Sequence, residues 1–276
     1  MNRETTAASW QESALVILGH GSTQNPDSSV PTWQHADELR RRGLFREVQC
    51  AFWKEEPSCR EIFNMLDADE VFVVPHFISE GYFTREVLPR ELGLTGRVTR
   101  RAGKTVRYCD PVGIHPSMTK LLLRRAREIA PGVPPGEISV VIVGHGTSLN
   151  DQSTAAIKAQ VELIKASGAG FAEVVDAYME EPPLVAEWDR LTTAAHVVIV
   201  PFFIADGLHS YEDIPVLLGI TAESAGAISA NAGEVFRHNP YTLRGRRLFY
   251  SAAIGTEPMM ADVILDQVRA ASGAEA

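Results

Sequence analysis

The segment LVILGHGSTQN at residues 15–25 decides how this chain folds, because VVIVGHGTSLN repeats it at residues 140–150. Two further pairs of segments recur in the same order: AFWKEEP at 51–57 with AYMEEPP at 177–183, and VFVVPHFISEGYFTREVLP at 71–89 with HVVIVPFFIADGLHSYEDIP at 196–215. A repeat of this length predicts a duplicated domain. Each copy can therefore be compared with the other, and a difference in reactive residues indicates which copy carries the chemistry.

Short β-branched segments alternate with helix-period segments in both copies. Nearly continuous apolar segments are typical of strands that are buried on both faces of a parallel sheet. Alternation of strands and helices predicts βαβ units. The predicted strands are 14–19, 47–53, 70–75 and 105–109 in the first copy, and 139–144, 173–178, 196–201 and 234–238 in the second. We therefore predict an α/β fold of two sandwich domains, each with a mainly parallel four-stranded sheet flanked by helices.

Chain length and composition limit the domain organisation and the partners. The chain has 276 residues, enough for two domains that bury their own cores, and the Pro/Gly-rich linker PGVPPGE predicts domains at 1–132 and 137–276. The net charge of -9 disfavours nucleic-acid binding. No apolar segment is long enough to cross a membrane, and we expect no secretory signal because MNRETTAASWQES has no apolar h-region. Three cysteines without a C-x-x-C pair favour the reducing cytoplasm.

Three polar residues of the second copy follow three different strands. His145 lies in GHG after the first strand, Glu180 follows the second, and His209 lies in the loop after the third. Ligands of parallel α/β sheets bind beyond the carboxyl ends of the strands, so we expect these side chains to meet there. Two imidazoles and a carboxylate can hold a first-row divalent metal loosely and can transfer protons near neutral pH. This edge is the predicted active site.

The first copy has lost most of this trio. His20 matches the first histidine, but Lys54 replaces the glutamate and Phe83 replaces the second histidine. An ammonium group and a phenyl ring cannot serve as a metal ligand or as a base at neutral pH. The second copy is therefore the predicted working half. His76, after the third strand of the first copy, is placed to reach the cleft, so His20 and His76 are predicted to form a residual site.

Structural alternatives exist for each member of the trio. A histidine at a strand end is commonly structural, although the recurrence of GHG favours a function for His145. Glu180 alternatively supplies negative charge at a helix start. Ser210 and Asp213 are predicted to form an S-x-x-D capping box, which leaves His209 without a structural role.

The segments VGHGT, AYMEEPP and VPFFIADGLHSYEDIP together resemble the CbiX-type sirohydrochlorin chelatases, class II chelatases related in fold to protoporphyrin ferrochelatase. The resemblance covers nearly the whole chain and is to the long, two-domain form. It implies two chelatase-like domains with a tetrapyrrole in the cleft between them. By position, His145 and His209 would bind metal and accept protons, with Glu180 as the acidic partner. The expected substrate-binding residues are Gly144, Gly146, Thr147, Gly207 and Ser210.

The resemblance implies a cytoplasmic lyase that inserts a divalent metal into sirohydrochlorin. Cobalt, for cobalamin synthesis, is favoured over iron, for siroheme. Co²⁺ or Fe²⁺ would be a substrate, and no organic cofactor is expected. The expected partner is the tetrapyrrole, and the chain would be a monomer with pseudo-two-fold symmetry or a weak homo-oligomer. The alternative is a non-catalytic carrier of tetrapyrrole or metal. A phosphoryl-transfer enzyme is disfavoured, because such a strand-end histidine needs an arginine beside it and here glycines flank it.

Overall fold

The structure is a computed structural model that describes residues 10–146, 151–221 and 232–273, and it confirms the predicted α/β class. The chain divides into two compact units. The first unit comprises Met1–Ser117 together with Pro258–Ala276, and the second comprises Met118–Glu257.

Each unit contains a five-stranded sheet. The strand order is β2-β1-β3-β5-β4 in the first unit and β7-β6-β8-β10-β9 in the second. Adjacent strands pair in parallel except at one edge, where β4 and β9 run antiparallel to their neighbours. The strands are β1 Ser13–Gly19, β2 Glu47–Phe52, β3 Glu70–Pro75, β4 Val98–Arg101, β5 Lys104–Tyr108, β6 Ile138–Gly144, β7 Glu173–Tyr178, β8 His196–Pro201, β9 Tyr241–Leu243 and β10 Arg246–Tyr250.

Helices cover the sheets, and the central strands form the cores. Every residue of β1 and of β6 is buried, as a parallel strand covered on both faces requires. None of the described helices combines the length and the apolar character that crossing a bilayer requires. The described α-helices are α1 Val30–Arg42, α2 Leu88–Leu92, α3 Met118–Ile129, α4 Asp151–Ala166, α5 Trp188–Leu191, α6 Ile214–Leu218 and α7 Met260–Gly273.

The edge strands β4 and β9 make each sheet one strand larger than predicted. Each is joined to its neighbour by a two-residue turn in which both residues have positive φ: Ala102 and Gly103 (51° and 78°), and Arg244 and Gly245 (50° and 76°). Such turns match the twist of a hairpin. Sequence reasoning missed both strands because β4 reads VTRR and is largely exposed, and β9 has only three residues.

The strand predicted at residues 234–238 is wrong. A 3₁₀ helix spans Ala232–Phe236, and the parallel strand at this place in the sheet is β10. The side chain of Asn239 links the 3₁₀ helix to the end of β10. It donates to the carbonyls of Phe236 and Tyr250 and accepts from the Tyr250 amide. The two arginines that begin β10 hide its strand pattern.

The compact units also differ from the predicted ranges 1–132 and 137–276, because the terminal helix of each repeat belongs to the unit formed by the other. Helix α7 ends the second repeat but packs in the first unit, where the Gln267 amide donates to the Pro111 carbonyl at 2.8 Å. Helix α3 ends the first repeat but packs in the second unit, where Arg125 lies 3.1 Å from Glu257. The sequence pattern of α3 and α7 shows that each helix has a buried face, but it does not show which unit covers that face. The sequence therefore did not reveal this exchange.

Candidate functional site

The candidate site of the second unit lies at the carboxyl ends of β6, β7 and β8. Because β6 pairs in parallel with both β7 and β8, the residue after β6 lies between the loops that follow its neighbours. That residue is His145. Its carbonyl accepts a hydrogen bond from the Glu180 amide at 3.2 Å, which ties the GHG turn to the loop after β7.

The structure brings the three predicted residues together. The rings of His145 and His209 have centroids 4.9 Å apart and stand at 75° to each other. Nε2 of His145 lies 3.6 Å from Oε1 of Glu180. The side chains are 32%, 44% and 59% exposed for His145, His209 and Glu180, so all three remain open to solvent. In the described part of the chain, no group of three or more His, Cys, Asp or Glu side chains forms a preassembled metal site.

His209 is oriented by a carboxylate that sequence reasoning assigned to another role. His209–Asp213 is a π-helical turn, in which the Ile214 amide donates to the His209 carbonyl. This turn places Oδ2 of Asp213 2.7 Å from Nδ1 of His209. A carboxylate on one ring nitrogen fixes the neutral tautomer with its proton on Nδ1, which leaves the lone pair of Nε2 free for a metal. π-Turns inside helices are frequent at functional sites.

The predicted capping box is therefore wrong. No side chain caps the His209–Asp213 turn, and Asp213 bonds the histidine instead. Ser210 is 1% exposed, and its Oγ has no hydrogen-bond partner among the described residues. A buried hydroxyl cannot contact substrate on the surface, so the structure does not support Ser210 as a substrate-binding residue. The H-x-x-x-D spacing was the signal for Asp213, since one helical turn brings residues four apart together.

His145 presents one particular nitrogen to the site. Its Nδ1 is buried and has no hydrogen-bond partner within the described residues, whereas its Nε2 faces Glu180. We therefore take Nε2 as the reactive nitrogen of His145.

The two glycines of the second GHG turn are needed for packing within the chain. A Cβ on Gly144 would lie 2.3 Å from Cδ1 of Ile157, and a Cβ on Gly146 would lie 2.5 Å from Cβ of Tyr178. Gly146 also has a φ of +70°. Both glycines thus let the turn approach neighbouring elements of the same unit, and their contact with substrate stays a prediction. Thr147 lies outside the described residues. Gly207 accepts from the Tyr211 amide at 2.9 Å, and its substrate contact is also untested.

The structure separates the roles of Glu180 and its neighbour Glu181. Thr154 of α4 donates to Oε1 of Glu181 at 2.9 Å. In the first unit, Ser29 donates to Oε1 of Glu55 at 2.7 Å in the same way. Glu55 and Glu181 thus hold the loop after the second strand to the start of the helix that precedes that strand in each unit, whereas Glu180 lies beside His145.

The equivalent position in the first unit is an aromatic cluster, which we define as His20, Trp53, Phe77 and Phe83. The centroid of the His20 ring lies 5.3, 6.5 and 5.4 Å from those of Trp53, Phe77 and Phe83. Nζ of Lys54 lies 4.0 Å from the centroid of the Trp53 ring.

The prediction that His20 and His76 form a residual site is wrong, because His76 lies in the interior. Its side chain is 1% exposed, and its Nδ1 is 2.9 Å from the Thr32 hydroxyl of α1. Its ring packs edge to face on that of His35, with centroids 5.2 Å apart. Burial lowers the pKa of His76 well below its usual range, and the nearby His35 lowers it further. His76 is thus a neutral packing residue.

Comparisons with known proteins agree with this fold. The CbiX family model matches residues 14–129 and 139–271, one match in each repeat. A probable sirohydrochlorin cobaltochelatase of Halobacterium salinarum is 41% identical over 272 residues, which cover 92% of this chain and 90% of that protein. The sirohydrochlorin cobaltochelatase of Methanopyrus kandleri is 27% identical over 146 residues, which cover 50% of this chain and 99% of that protein.

A solved structure is similar over the same extent of the chain. DR2241 of Deinococcus radiodurans is a multi-domain protein with structural similarity to chelatases and two additional novel domains. It superimposes with a TM-score of 0.76 at 30% identity, over 92% of this chain and 54% of DR2241, so this chain spans about half of that protein. Since the family model matches both repeats and this structure shares their fold, the chain belongs to the CbiX family of chelatases.

Proposed function

We propose that this chain is a sirohydrochlorin chelatase, a lyase-class enzyme that inserts a divalent metal, with cobalt favoured, into the tetrapyrrole at the second unit. The observation that carries the proposal is the pair of imidazoles 4.9 Å apart, with a carboxylate beside each. The cobaltochelatase name of the Halobacterium salinarum relative, which is 41% identical, supports both the tetrapyrrole and the metal.

The metal is a substrate and must be released into the ring. Two imidazole Nε2 atoms, from His145 and His209, suit Co²⁺ as well as Fe²⁺. An open site with few protein ligands holds the ion weakly, which favours its transfer to four pyrrole nitrogens. A closed cage of thiolates would retain it, and the three cysteines of the chain are buried and free.

Insertion also requires two pyrrole N–H protons to leave as the metal forms bonds to the ring nitrogens. Glu180 is suited to accept one proton, and His145 the other once its Nε2 has released the metal to the ring; Nε2 of His145 and Oε1 of Glu180 are 3.6 Å apart, so both acceptors lie at the same place. Glu180 is 59% exposed, so a proton that it accepts can pass to water. One divalent metal ion enters the ring and two protons leave it, so the total charge of the tetrapyrrole is the same before and after insertion.

Asp213 keeps His209 ready for this exchange. Its carboxylate accepts a hydrogen bond from Nδ1–H of His209, so Nε2 carries the lone pair that a metal ion needs. We therefore assign Asp213 as a positioning residue and His145, His209 and Glu180 as the catalytic residues.

A spectrophotometric assay tests the proposal. Purified protein is mixed with sirohydrochlorin and Co²⁺, and the shift of the tetrapyrrole absorption band is followed against a protein-free reaction. We expect acceleration by the wild type and a loss of about 10²-fold or more in His209→Ala. His238→Ala is the matched control, since His238 is an exposed histidine of the same unit that pairs with Glu234.

The outcomes separate the alternatives. Binding of sirohydrochlorin without acceleration with any metal would contradict the proposal and favour a carrier. Acceleration with Fe²⁺ and not with Co²⁺ would retain the chelatase and replace the metal.

A further inference from the structure

We propose that the aromatic cluster of the first unit, with Lys54, is a binding surface for the face of a tetrapyrrole. This inference rests on the proposed function, because it takes sirohydrochlorin as the ligand. It assigns binding to a unit that has lost the metal-binding residues.

The aromatic rings of the cluster are only partly buried by the core. Trp53, Phe77 and Phe83 pack against the core of the first unit, yet each remains partly exposed. The rings of Trp53 and Phe83 meet edge to face with centroids 4.8 Å apart, and those of Phe77 and Phe83 stack at 5.6 Å. The exposed His20 adjoins all three rings. A flat conjugated ring is the kind of ligand that gains most from such a surface, since aromatic contacts add to simple area burial.

Two differences between the units replace the polar residues of the second site with apolar ones in the first unit. Phe83 and Val87 occupy the positions of His209 and Asp213, each as the first and last residue of a π-helical turn. The histidine and the carboxylate that orients it are thus replaced together by apolar side chains. The backbone of the site is retained while its metal chemistry is removed, which is the pattern expected when binding of the organic substrate is kept.

Lys54 gives the surface the charge that this ligand requires. Its ammonium group lies over the Trp53 ring and remains exposed, so it can pair with an anion while the ring contact holds it in place. Sirohydrochlorin combines a conjugated ring with peripheral carboxylates, and the chain carries a net charge of -9. A cation beside an aromatic surface is therefore complementary to both parts of this ligand. At the matching position of the second unit, Glu180 carries the opposite charge.

Binding of metal-free sirohydrochlorin tests the inference without metal insertion. The dissociation constant is measured by absorption titration for wild type, Lys54→Glu and Trp53→Met, where Met is the residue that the second repeat has at this position. We expect each substitution to raise the dissociation constant about tenfold. The Lys54→Glu effect should shrink at high salt, because screening weakens contacts between exposed charges.

Arg100→Glu is the matched control. Arg100 is exposed on β4 of the first unit, and its reversal changes the net charge by the same amount as Lys54→Glu. It should leave the dissociation constant within about twofold of the wild type, whereas an effect equal to that of Lys54→Glu would indicate only a general charge effect and overturn the inference. Lys54 is exposed, so the Lys54→Glu variant should fold, and thermal unfolding checks that it does. This variant therefore tests the inference even if Trp53→Met fails to fold.

Failure of this inference is distinguishable from failure of the proposed function. If wild type inserts metal while Lys54→Glu and Trp53→Met bind sirohydrochlorin as wild type does, the surface is not a tetrapyrrole site. If the substitutions instead change only the oligomeric state in sedimentation, the cluster is a contact between copies of the chain and the inference is overturned. If wild type binds but inserts no metal, and both substitutions weaken binding, the surface stands and the chelatase proposal falls.

Discussion

Acid is expected to destabilise the folded chain through His76, the neutral histidine in the interior of the first unit. Burial holds the pKa of His76 well below its usual range in the folded state, whereas in the unfolded chain it titrates near pH 6.5. Above about pH 6.5 both states have neutral His76, and its contribution to stability is constant. As pH falls below that value, the unfolded chain binds a proton that the folded chain does not, so stability is lost.

The magnitude follows from proton linkage. Each pH unit between the unfolded and folded pKa values removes about 1.4 kcal/mol from the free energy of unfolding. A His76 that binds no proton in the folded chain down to pH 5.0 costs roughly 2 kcal/mol between pH 6.5 and pH 5.0, which is the upper limit of this effect. This is a large share of the 5–15 kcal/mol that is typical of a folded protein, namely about a seventh to two fifths of it.

The second unit suggests the variant that tests this. Phe202 and Ile157 occupy the positions of His76 and Thr32 there, and both are 1% exposed. The double variant Thr32→Ile/His76→Phe therefore removes both partners of the hydrogen bond and leaves no unpaired hydroxyl. Because His35 remains in both proteins, the difference between them isolates His76.

Urea unfolding followed by circular dichroism at several pH values between 7.5 and 5.0 gives the measurement. We expect the wild type to lose up to about 2 kcal/mol more than the double variant between pH 6.5 and pH 5.0. His238→Gln, at an exposed site, should follow the wild type. Parallel loss of stability in the wild type and the double variant would refute the reasoning, since His76 would then take up its proton in the folded state.

Three further predictions concern the second unit. Asp213→Asn should lower the rate of metal insertion about 10- to 100-fold and alter its pH profile, because the amide cannot hold the same tautomer of the bonded histidine; an unchanged profile would remove Asp213 from the site. Glu180→Gln should lower the insertion rate about 10²-fold with little effect on thermal stability, whereas Glu181→Gln should lower the melting temperature, and the reverse pattern would exchange their roles. Gly146→Ala should destabilise the chain by about 2 kcal/mol or more in thermal unfolding, whereas Gly168→Ala, whose φ is +66° but whose Cβ has open space, should cost about 1 kcal/mol; equal losses would mean that the close contact at Gly146 is not what matters.

Much of the fold was predictable because the chain contains two copies of one domain, which can be compared with each other. The recurring strands gave the parallel sheets, and the GHG turns located the site at the ends of β6 and β1. Residues whose role depends on a partner distant in sequence were harder to assign. His76 follows a strand and looks free, but its ring turns into the interior against Thr32 and His35.

For Asp213 the sequence offered two local roles, and the wrong one was predicted. Its spacing from Ser210 fitted a helix cap, and its spacing from His209 fitted a hydrogen bond across one turn. Only the π-helical turn, which places Oδ2 of Asp213 2.7 Å from Nδ1 of His209, decides between the two. Local sequence patterns do not encode that extra residue in the turn, so the choice required the backbone.

The exchange of α3 and α7 has a consequence for the order in which the chain completes its folding on the ribosome. The strands of the first unit emerge before those of the second, but Val263, Ile264 and Val268 of α7, all fully buried in the first unit, are synthesised only after the whole second sheet. The second unit, in contrast, has its borrowed helix α3 before its first strand is synthesised. The first sheet, although translated before the second, is therefore expected to complete its packing after it. A released chain truncated after Glu257 should protect the second sheet from protease and leave the first one susceptible.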